Sequence, residues 1–149
     1  MRAVVQRVSS ASVKVQHQVI SSIGHGYLVL LGVEKNDDQQ DINYIVNKII
    51  GLRVFEDSEE KMNLSILDIK GEIIVVSQFT LAGDARKGRR PSFSNAMLPE
   101  KANELYMQVV EIIRSYGVNT GTGEFGAMMD VELVNSGPVT ILLDSHRTF

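Results

Sequence analysis

The sequence contains no cysteine and no tryptophan among its 149 residues. Without cysteine the chain can form neither disulfides nor thiolate metal sites, and a cysteine nucleophile is excluded as well. With only three prolines, 44% hydrophobic residues and 22% charged residues, the composition lies outside the range of disordered chains. The length suits one compact unit, so we expect residues 1–149 to form a single domain.

A large positive charge and a long apolar run are also absent. Fifteen Lys and Arg residues against eighteen Asp and Glu residues give a net charge of −3, which excludes nucleic-acid binding through bulk positive charge. Near the N-terminus, Arg2 and Arg7 interrupt the apolar residues before any stretch long enough for a signal peptide or a membrane span. We therefore expect a soluble, cytoplasmic protein that makes no membrane contact.

Hydrophobic periodicity predicts two helices and six to eight strands. The helical spacing covers residues 38–50 and 99–116, each stopping near a glycine. The candidate strands alternate apolar and polar residues or form short apolar runs, and they lie at residues 2–8, 11–17, 18–23, 27–33, 52–55, 72–78, 129–135 and 139–143. The strands follow one another mostly in hairpin order. The pattern predicts an α+β fold: a mainly antiparallel β-barrel or sandwich with two packed helices.

Evidence for a cofactor or a metal is weak. Residues 121–126 match the dinucleotide-binding pattern G-x-G-x-x-G, but a predicted helix precedes them and a predicted strand follows, which reverses the required order. A tight turn that brings the backbone close to another group is the preferred interpretation. The histidines His17, His25 and His146 lack metal-ligand spacing. We expect no cofactor and no metal.

Two segments carry polar chemistry. Ser77-Gln78-Phe79-Thr80 ends a predicted buried strand, and it opens an irregular loop over residues 82–98 of a length that is usually functional or disordered. Within that loop stand four cations, at Arg86, Lys87, Arg89 and Arg90. They form either a phosphate-sized patch or a solvated loop, and composition alone does not choose between these.

Gly137-Pro138 separates the last two predicted strands. An ordinary hairpin turn at residues 136–138 is the favoured interpretation. The alternatives are the start of an edge strand and a cis peptide bond.

Taken in order, four motifs resemble the D-aminoacyl-tRNA deacylase family, long called D-tyrosyl-tRNA deacylases. They are S-Q-F-T at 77–80, K-G-R-R-P-S-F at 87–93, F-G-A at 125–127 and N-S-G-P-V-T at 135–140. The opening R-A-V-V-Q-R-V at 2–8 and L-R-V-F at 52–55 are also similar, so the resemblance covers essentially the whole chain.

The resemblance implies an enzyme that hydrolyses the ester between a D-amino acid and the 3′ end of tRNA, without a cofactor. It also implies a homodimer whose active site lies at the subunit interface. There, Ser77 to Thr80 of one subunit line the pocket, while Gly137-Pro138 of the partner subunit reaches in as a cis dipeptide. Arg7 would support that turn from below, Gln78 would hold the terminal adenosine, and Arg86 to Arg90 would contact acceptor-stem phosphates.

A physical hypothesis accompanies this arrangement. Rigid backbone at Gly137-Pro138 would collide with an L side chain and leave D side chains of any size free, so glycyl-tRNA should also react to some degree. Backbone amides around Phe79 and Thr80 would stabilise the oxyanion. Thr80 is the family's candidate nucleophile, but no base is visible near it in the sequence, which favours a positional role with water attacking.

Two positions bear on which branch of the family the chain resembles. Ser136 stands where the family often has Asp, which leaves Gly137-Pro138 intact. Phe79 favours the D-specific branch, because a related deacylase family with relaxed chirality carries Met there. The competing hypotheses are a non-catalytic dimeric module that binds RNA or DNA ends on the same fold, and a general esterase active without tRNA.

Overall fold

The structure is a computed structural model that describes all 149 residues. Two α-helices cover Gln39–Gly51 (α1) and Pro99–Ser115 (α2), and a 3-10 turn covers Phe79–Ala82. The eight strands, β1 to β8, cover in chain order Arg2–Val15, Gln18–Ile23, Gly26–Gly32, Phe55–Glu56, Met62–Leu64, Glu72–Ser77, Thr120–Thr122 and Asp130–Asp144.

One six-stranded sheet forms the body of the molecule. Its order is β2-β1-β3-β6-β7, with β8 along the other edge of β1, and β4 and β5 form a separate hairpin. β1 is antiparallel to β2, β3 and β8, whereas β3, β6 and β7 run parallel to one another. The sheet curls until β2 contacts β6 and β7. The predicted α+β fold with a barrel-like sheet and two helices is therefore confirmed, and the parallel strands are an addition to it.

Each face of the sheet covers its own hydrophobic core. The two helices pack on the outer face, where 26 buried residues form the larger cluster. The inner face closes over a cluster of seven buried residues. Along β3, Tyr27, Val29 and Leu31 belong to the larger cluster and Leu28 to the smaller one, which explains the uninterrupted apolar run. The prediction of a strand buried on both faces is confirmed.

The helices begin and end where local signals place them. Asp38 caps α1 by accepting from the backbone N–H of Gln40 at 2.7 Å, and the Asp41 carboxylate accepts from the Asp38 backbone N–H at 2.8 Å. α2 opens with Pro99, which suits a first helical turn. At 17 residues α2 is the longer helix, and neither helix combines the length and apolar character needed to traverse a lipid bilayer.

The predicted hairpin turn at residues 136–138 is wrong. β8 is one strand that follows β1 over its whole length, with Gln6 opposite Thr140 and Val8 opposite Asn135. Between these two pairs, the four residues of β8 from Ser136 to Val139 face only Arg7 of β1. The chain therefore leaves the ladder as a bulge and re-enters it in the same direction. We call residues 136–139 the β8 excursion.

Candidate functional site

An apolar pocket of about 300 Å³ opens at the carboxyl end of β6. Ser77, the last residue of β6, and Phe79 form one wall. The rest of the lining comes from the residue that follows β3, the loop before α2, the first turn of α2 and the turn after β7: Val33, Ala96, Met97, Pro99, Ala102, Phe125 and Gly126. The volume is at the lower end of the range for small-molecule sites.

The predicted polar segment borders this pocket, because Ser77 and Phe79 both line it. The 3-10 turn starts at Phe79, and its first backbone bond is from Leu81 N–H to Gln78 C=O at 3.2 Å. The amides of Phe79 and Thr80 precede that bond, so they have no partner within the turn. Phe79 is 56% exposed. The turn thus presents two amides and an aromatic ring beside the pocket.

Thr80 has no base within reach. Its hydroxyl oxygen accepts a hydrogen bond from the side-chain amide of Gln78 at 2.5 Å, and neither an imidazole nor a carboxylate bonds to it. A primary amide cannot accept a proton from a threonine hydroxyl at neutral pH. This environment fixes the position of the hydroxyl and does not activate it as a nucleophile.

The four predicted cations lie together on an exposed loop, but they are not equivalent. The loop is closed at its base by backbone bonds between Asp84 and Ser92, of 2.8 and 2.9 Å. Arg86 donates to the Asp84 carboxylate at 2.7 Å, and this bond holds the pKa of Asp84 well below its usual range. Lys87, Arg89 and Arg90 form no ion pair. These three charges are available to a ligand.

An aromatic contact joins this loop to the pocket. Phe93, which follows the closing residue Ser92, packs edge-on against Phe79 with ring centroids 5.1 Å apart. A Cβ added at Gly83 would lie 3.0 Å from the Phe93 ring, so the junction is tightly packed. The basic loop and the polar turn form one continuous surface. Here the structure brings together two segments that the sequence analysis singled out separately.

The β8 excursion stands on the Arg7 side chain. The guanidinium of Arg7, only 7% exposed, donates to the backbone carbonyl of Ser136 at 2.9 Å and to that of Val54 at 2.6 Å. Gly137 has a φ of +128°, and the Gly137–Pro138 peptide bond is cis. Both residues of the dipeptide are exposed. A buried guanidinium therefore holds the excursion at its Ser136 end.

Within one chain, Gly137 and Pro138 do not reach the pocket. Arg7, which faces the excursion, is level with Tyr27 of β3 and Ile73 of β6, whereas Ser77 lies four residues further along β6. At about 3.3 Å per residue this separates the two groups by roughly 13 Å along the strands. They are also three strands apart in the sheet. The two halves of the predicted site therefore lie on different parts of the surface.

Comparison with known proteins decides the family. The family model described as D-Tyr-tRNA(Tyr) deacylase matches residues 4–144. The chain belongs to this family. It is 60% identical to the D-aminoacyl-tRNA deacylase of Thermosipho melanesiensis and 59% identical to that of Clostridioides difficile, over 100% of each chain in both cases.

Solved structures agree with the fold. A protein named c-Myc DNA unwinding element binding protein is 44% identical to this chain, with a TM-score of 0.91 over 97% of this chain and 98% of that one. A probable eukaryotic D-amino acid tRNA deacylase has a TM-score of 0.81 over 95% and 97% of the two chains. At 17% identity the second likeness concerns the fold alone.

The titratable groups that could hold a metal are not among the residues that line the pocket of this deacylase family member. Glu34, Asp37 and His146 bring one ligand atom each within 4.8 Å of one another. The Met1 ammonium lies among them, 2.5 Å from an Asp37 oxygen and 3.7 Å from a Glu34 oxygen. A cation of the chain itself already balances these carboxylates, so the group is an ion-pair network.

Sequence reasoning missed several residues of the pocket. Ala102 and Met97 line the pocket, yet in the sequence they fall within the predicted helix over 99–116 and the predicted loop over 82–98, and no motif marks either. Behind the lining, the buried ring of Tyr106 lies 6.0 Å from that of Phe125, and its hydroxyl donates to the Val75 carbonyl at 2.8 Å. Burial raises the pKa of Tyr106 to about 12, so this donor persists at neutral pH. A small residue in the first turn of an amphipathic helix was the one available signal for Ala102.

Proposed function

We propose that this chain hydrolyses the ester between a D-amino acid, or glycine, and the 3′ end of tRNA. Residues 1–149 would act as one deacylase domain and need no cofactor. Water attacks the acyl carbon, the bond to the ribose oxygen breaks, and the products are the free amino acid and tRNA with its terminal hydroxyl restored. The observation that carries the proposal is the polar turn at Ser77 to Thr80, which contributes Ser77 and Phe79 to the wall of an apolar pocket in a member of this family.

The pocket suits the terminal adenosine, and the surface beside it suits the acceptor stem. An apolar cavity flanked by exposed aromatic rings can accept a base through stacking. Gln78, at the start of the turn, would hold the nucleoside. Lys87, Arg89 and Arg90 would contact phosphates, while Arg86 serves mainly to shape the loop through its bond to Asp84.

A homodimer would complete the active site. The Gly137-Pro138 dipeptide is exposed and distant from the pocket of its own chain, which supports its use by a second copy. β8 pairs only with β1, so its other edge is free to approach another chain. Val134 and Leu142 on this strand are each 57% exposed, which adds apolar surface for such a contact.

Chirality would be read by the partner's Gly137-Pro138 through steric exclusion. Glycine at this position presents backbone with no side chain, and a Cβ added there would lie 2.7 Å from Arg7 Nη2. The excursion is thus held against a buried cation and cannot yield easily to a colliding L side chain. The side chain of a D-amino acid points away from the dipeptide, and a glycyl substrate has no side chain for the dipeptide to exclude.

Transition-state stabilisation would come from the backbone. An aminoacyl ester is already reactive, so positioning together with donors aimed at the developing oxyanion can supply catalysis. The amides of Phe79 and Thr80 are the donors that the turn offers. The terminal ribose hydroxyl of the tRNA would assist the attacking water.

The first test compares hydrolysis of D-tyrosyl-tRNA and L-tyrosyl-tRNA by the purified protein with a chelator present. We expect rapid loss of the D-ester, slow loss of glycyl-tRNA and persistence of the L-ester. Loss of neither ester would favour the binding-module hypothesis, for which changes at Gly137 and Thr80 are harmless. Hydrolysis of small esters without tRNA would favour a general esterase.

Thr80→Ala tests the nucleophile hypothesis. Because the hydroxyl has no base, the variant should keep its rate for D-tyrosyl-tRNA within about fivefold of wild type, whereas loss of a true nucleophile costs on the order of 10⁴-fold or more. Single-turnover kinetics with mass spectrometry of the quenched enzyme provides the measurement. An acyl group trapped on Thr80 would contradict the positional role.

A shared site can be tested by complementation. Gln78→Ala removes the residue that holds the nucleoside, and Gly137→Val places a side chain against Arg7 at a positive φ. Each variant alone should lose more than about tenfold of the activity. In a mixed dimer, one site combines the intact Gln78 of one chain with the intact Gly137 of the other, and the second site carries both changes. About half of the dimers formed on co-expression are mixed, so roughly a quarter of wild-type activity should return. No restoration would mean that both segments serve the site of their own chain.

The basic loop is tested through salt dependence. Lys87→Ala with Arg89→Ala removes two charges that form no ion pair, so KM for the aminoacyl-tRNA should rise while kcat changes little. The slope of log(kcat/KM) against log salt should become shallower by roughly 1.5. Lys61→Ala, at an exposed lysine of the β4–β5 hairpin, is the matched control and should leave the slope unchanged. Equal slopes for the double variant and wild type would exclude the loop from tRNA binding.

A further inference from the structure

The side chain of Asn135 closes the base of the β8 excursion. Its amide oxygen accepts a hydrogen bond from Val139 N–H at 2.8 Å. Its amide nitrogen donates to the Thr140 hydroxyl at 3.0 Å and to the Val139 carbonyl at 3.3 Å. One side chain thus bonds both backbone groups of the residue where the excursion ends. The four residues of the excursion are bracketed between Asn135 and these partners.

The two ends of the excursion are anchored by different groups. At the first residue of the excursion, Arg7 donates to the Ser136 carbonyl at 2.9 Å. At the last residue, the Val139 side chain is buried in the larger core with 7% exposed, and the Asn135 side chain bonds the Val139 backbone. Gly137 and Pro138 remain as an exposed tip with neither a buried side chain nor a side-chain hydrogen bond of their own. Their position therefore depends on these anchors.

We propose that Asn135 is a positioning residue for chiral selection: it sets the height and angle at which Gly137-Pro138 is presented to the substrate. This inference rests on the proposed function. Arg7 fixes the Ser136 end. Without Asn135 the Val139 end would be held by its buried side chain but not by its backbone groups, so the tip could tilt away from an incoming L side chain. Fixing the Val139 end removes that freedom, so loss of Asn135 should admit L substrates rather than abolish hydrolysis.

Asparagine is the side chain that this geometry requires. Val139 offers a backbone N–H donor and a backbone C=O acceptor. The side-chain amide of asparagine pairs with both and also reaches the Thr140 hydroxyl. Aspartate keeps the bond to Val139 N–H but loses both donors and faces the Val139 carbonyl with a negative charge. Alanine loses all three bonds. The series Asn135, Asn135→Asp and Asn135→Ala therefore releases the Val139 end in steps.

The test measures kcat/KM for D-tyrosyl-tRNA and L-tyrosyl-tRNA in this series, with thermal unfolding of each variant. We expect the L-to-D ratio to rise by about tenfold or more in Asn135→Ala, which loses three hydrogen bonds, and by less in Asn135→Asp, which loses two. Thr140→Val removes a hydroxyl that accepts from Asn135 at 3.0 Å and from Gln6 at 3.4 Å. The position is exposed, so the variant should fold normally and give a small rise. Asn43→Ala, an exposed asparagine of α1, is the control and should keep the wild-type ratio.

Amide hydrogen exchange gives a second readout that does not need activity. Exchange of Val139 N–H should become about tenfold faster in Asn135→Ala and stay unchanged in Asn43→Ala. An unchanged L-to-D ratio, or D and L rates that fall in parallel with the melting temperature, would overturn the inference. If Asn135→Ala does not fold, the L-to-D ratio of Thr140→Val is the test, and an unchanged ratio in that variant would overturn the inference. A wild-type protein inactive on both esters would defeat the proposed function, and Val139 exchange would then decide the positioning role alone.

Discussion

The double burial of β3 and β6 is the constraint on which the rest of the structure depends. Two adjacent parallel strands, apolar on both faces, need cover on both sides. The helices supply the outer cover, and the curl of the sheet supplies the inner one. Because the two strands run parallel, their carboxyl ends meet at one edge, and Ser77 there passes directly into the polar turn at the pocket. The core thus determines where the pocket can be.

The second organising feature is the long ladder between β1 and β8. A ladder of this length normally forces residues to pair one against one, and the excursion at 136–139 exists only because the chain leaves it and returns. A buried arginine fills the space that this creates. The guanidinium has five donors, so it can satisfy carbonyls of two separate segments at once. A rigid, exposed dipeptide results on a face away from the pocket.

Charge is distributed to suit an anionic substrate without making the whole protein basic. The net charge is −3, yet three cations on one loop have no carboxylate partner. The carboxylate of Asp84, in the same loop, bonds to Arg86 and shapes the loop. It therefore leaves the other three cations unpaired. The Phe79 and Phe93 rings connect this surface to the polar turn, so that a bound acceptor stem and a bound terminal nucleoside would share one platform.

Local sequence determined the helices, the doubly buried strand at 27–33, the long loop and the ordered motifs that indicate the family, because periodicity, caps and residue type act over a few neighbours. The register between strands and the distances between segments far apart in the chain could not be predicted from it. The excursion looked like a hairpin turn since Gly-Pro suits both, and only pairing of β8 with a strand more than a hundred residues away distinguishes them. The same holds for Asn135, whose bonds exist only once the ladder has formed, and for the separation of Gly137 from the pocket. Contacts between distant segments depend on the whole packed sheet, so the tertiary structure alone decided them.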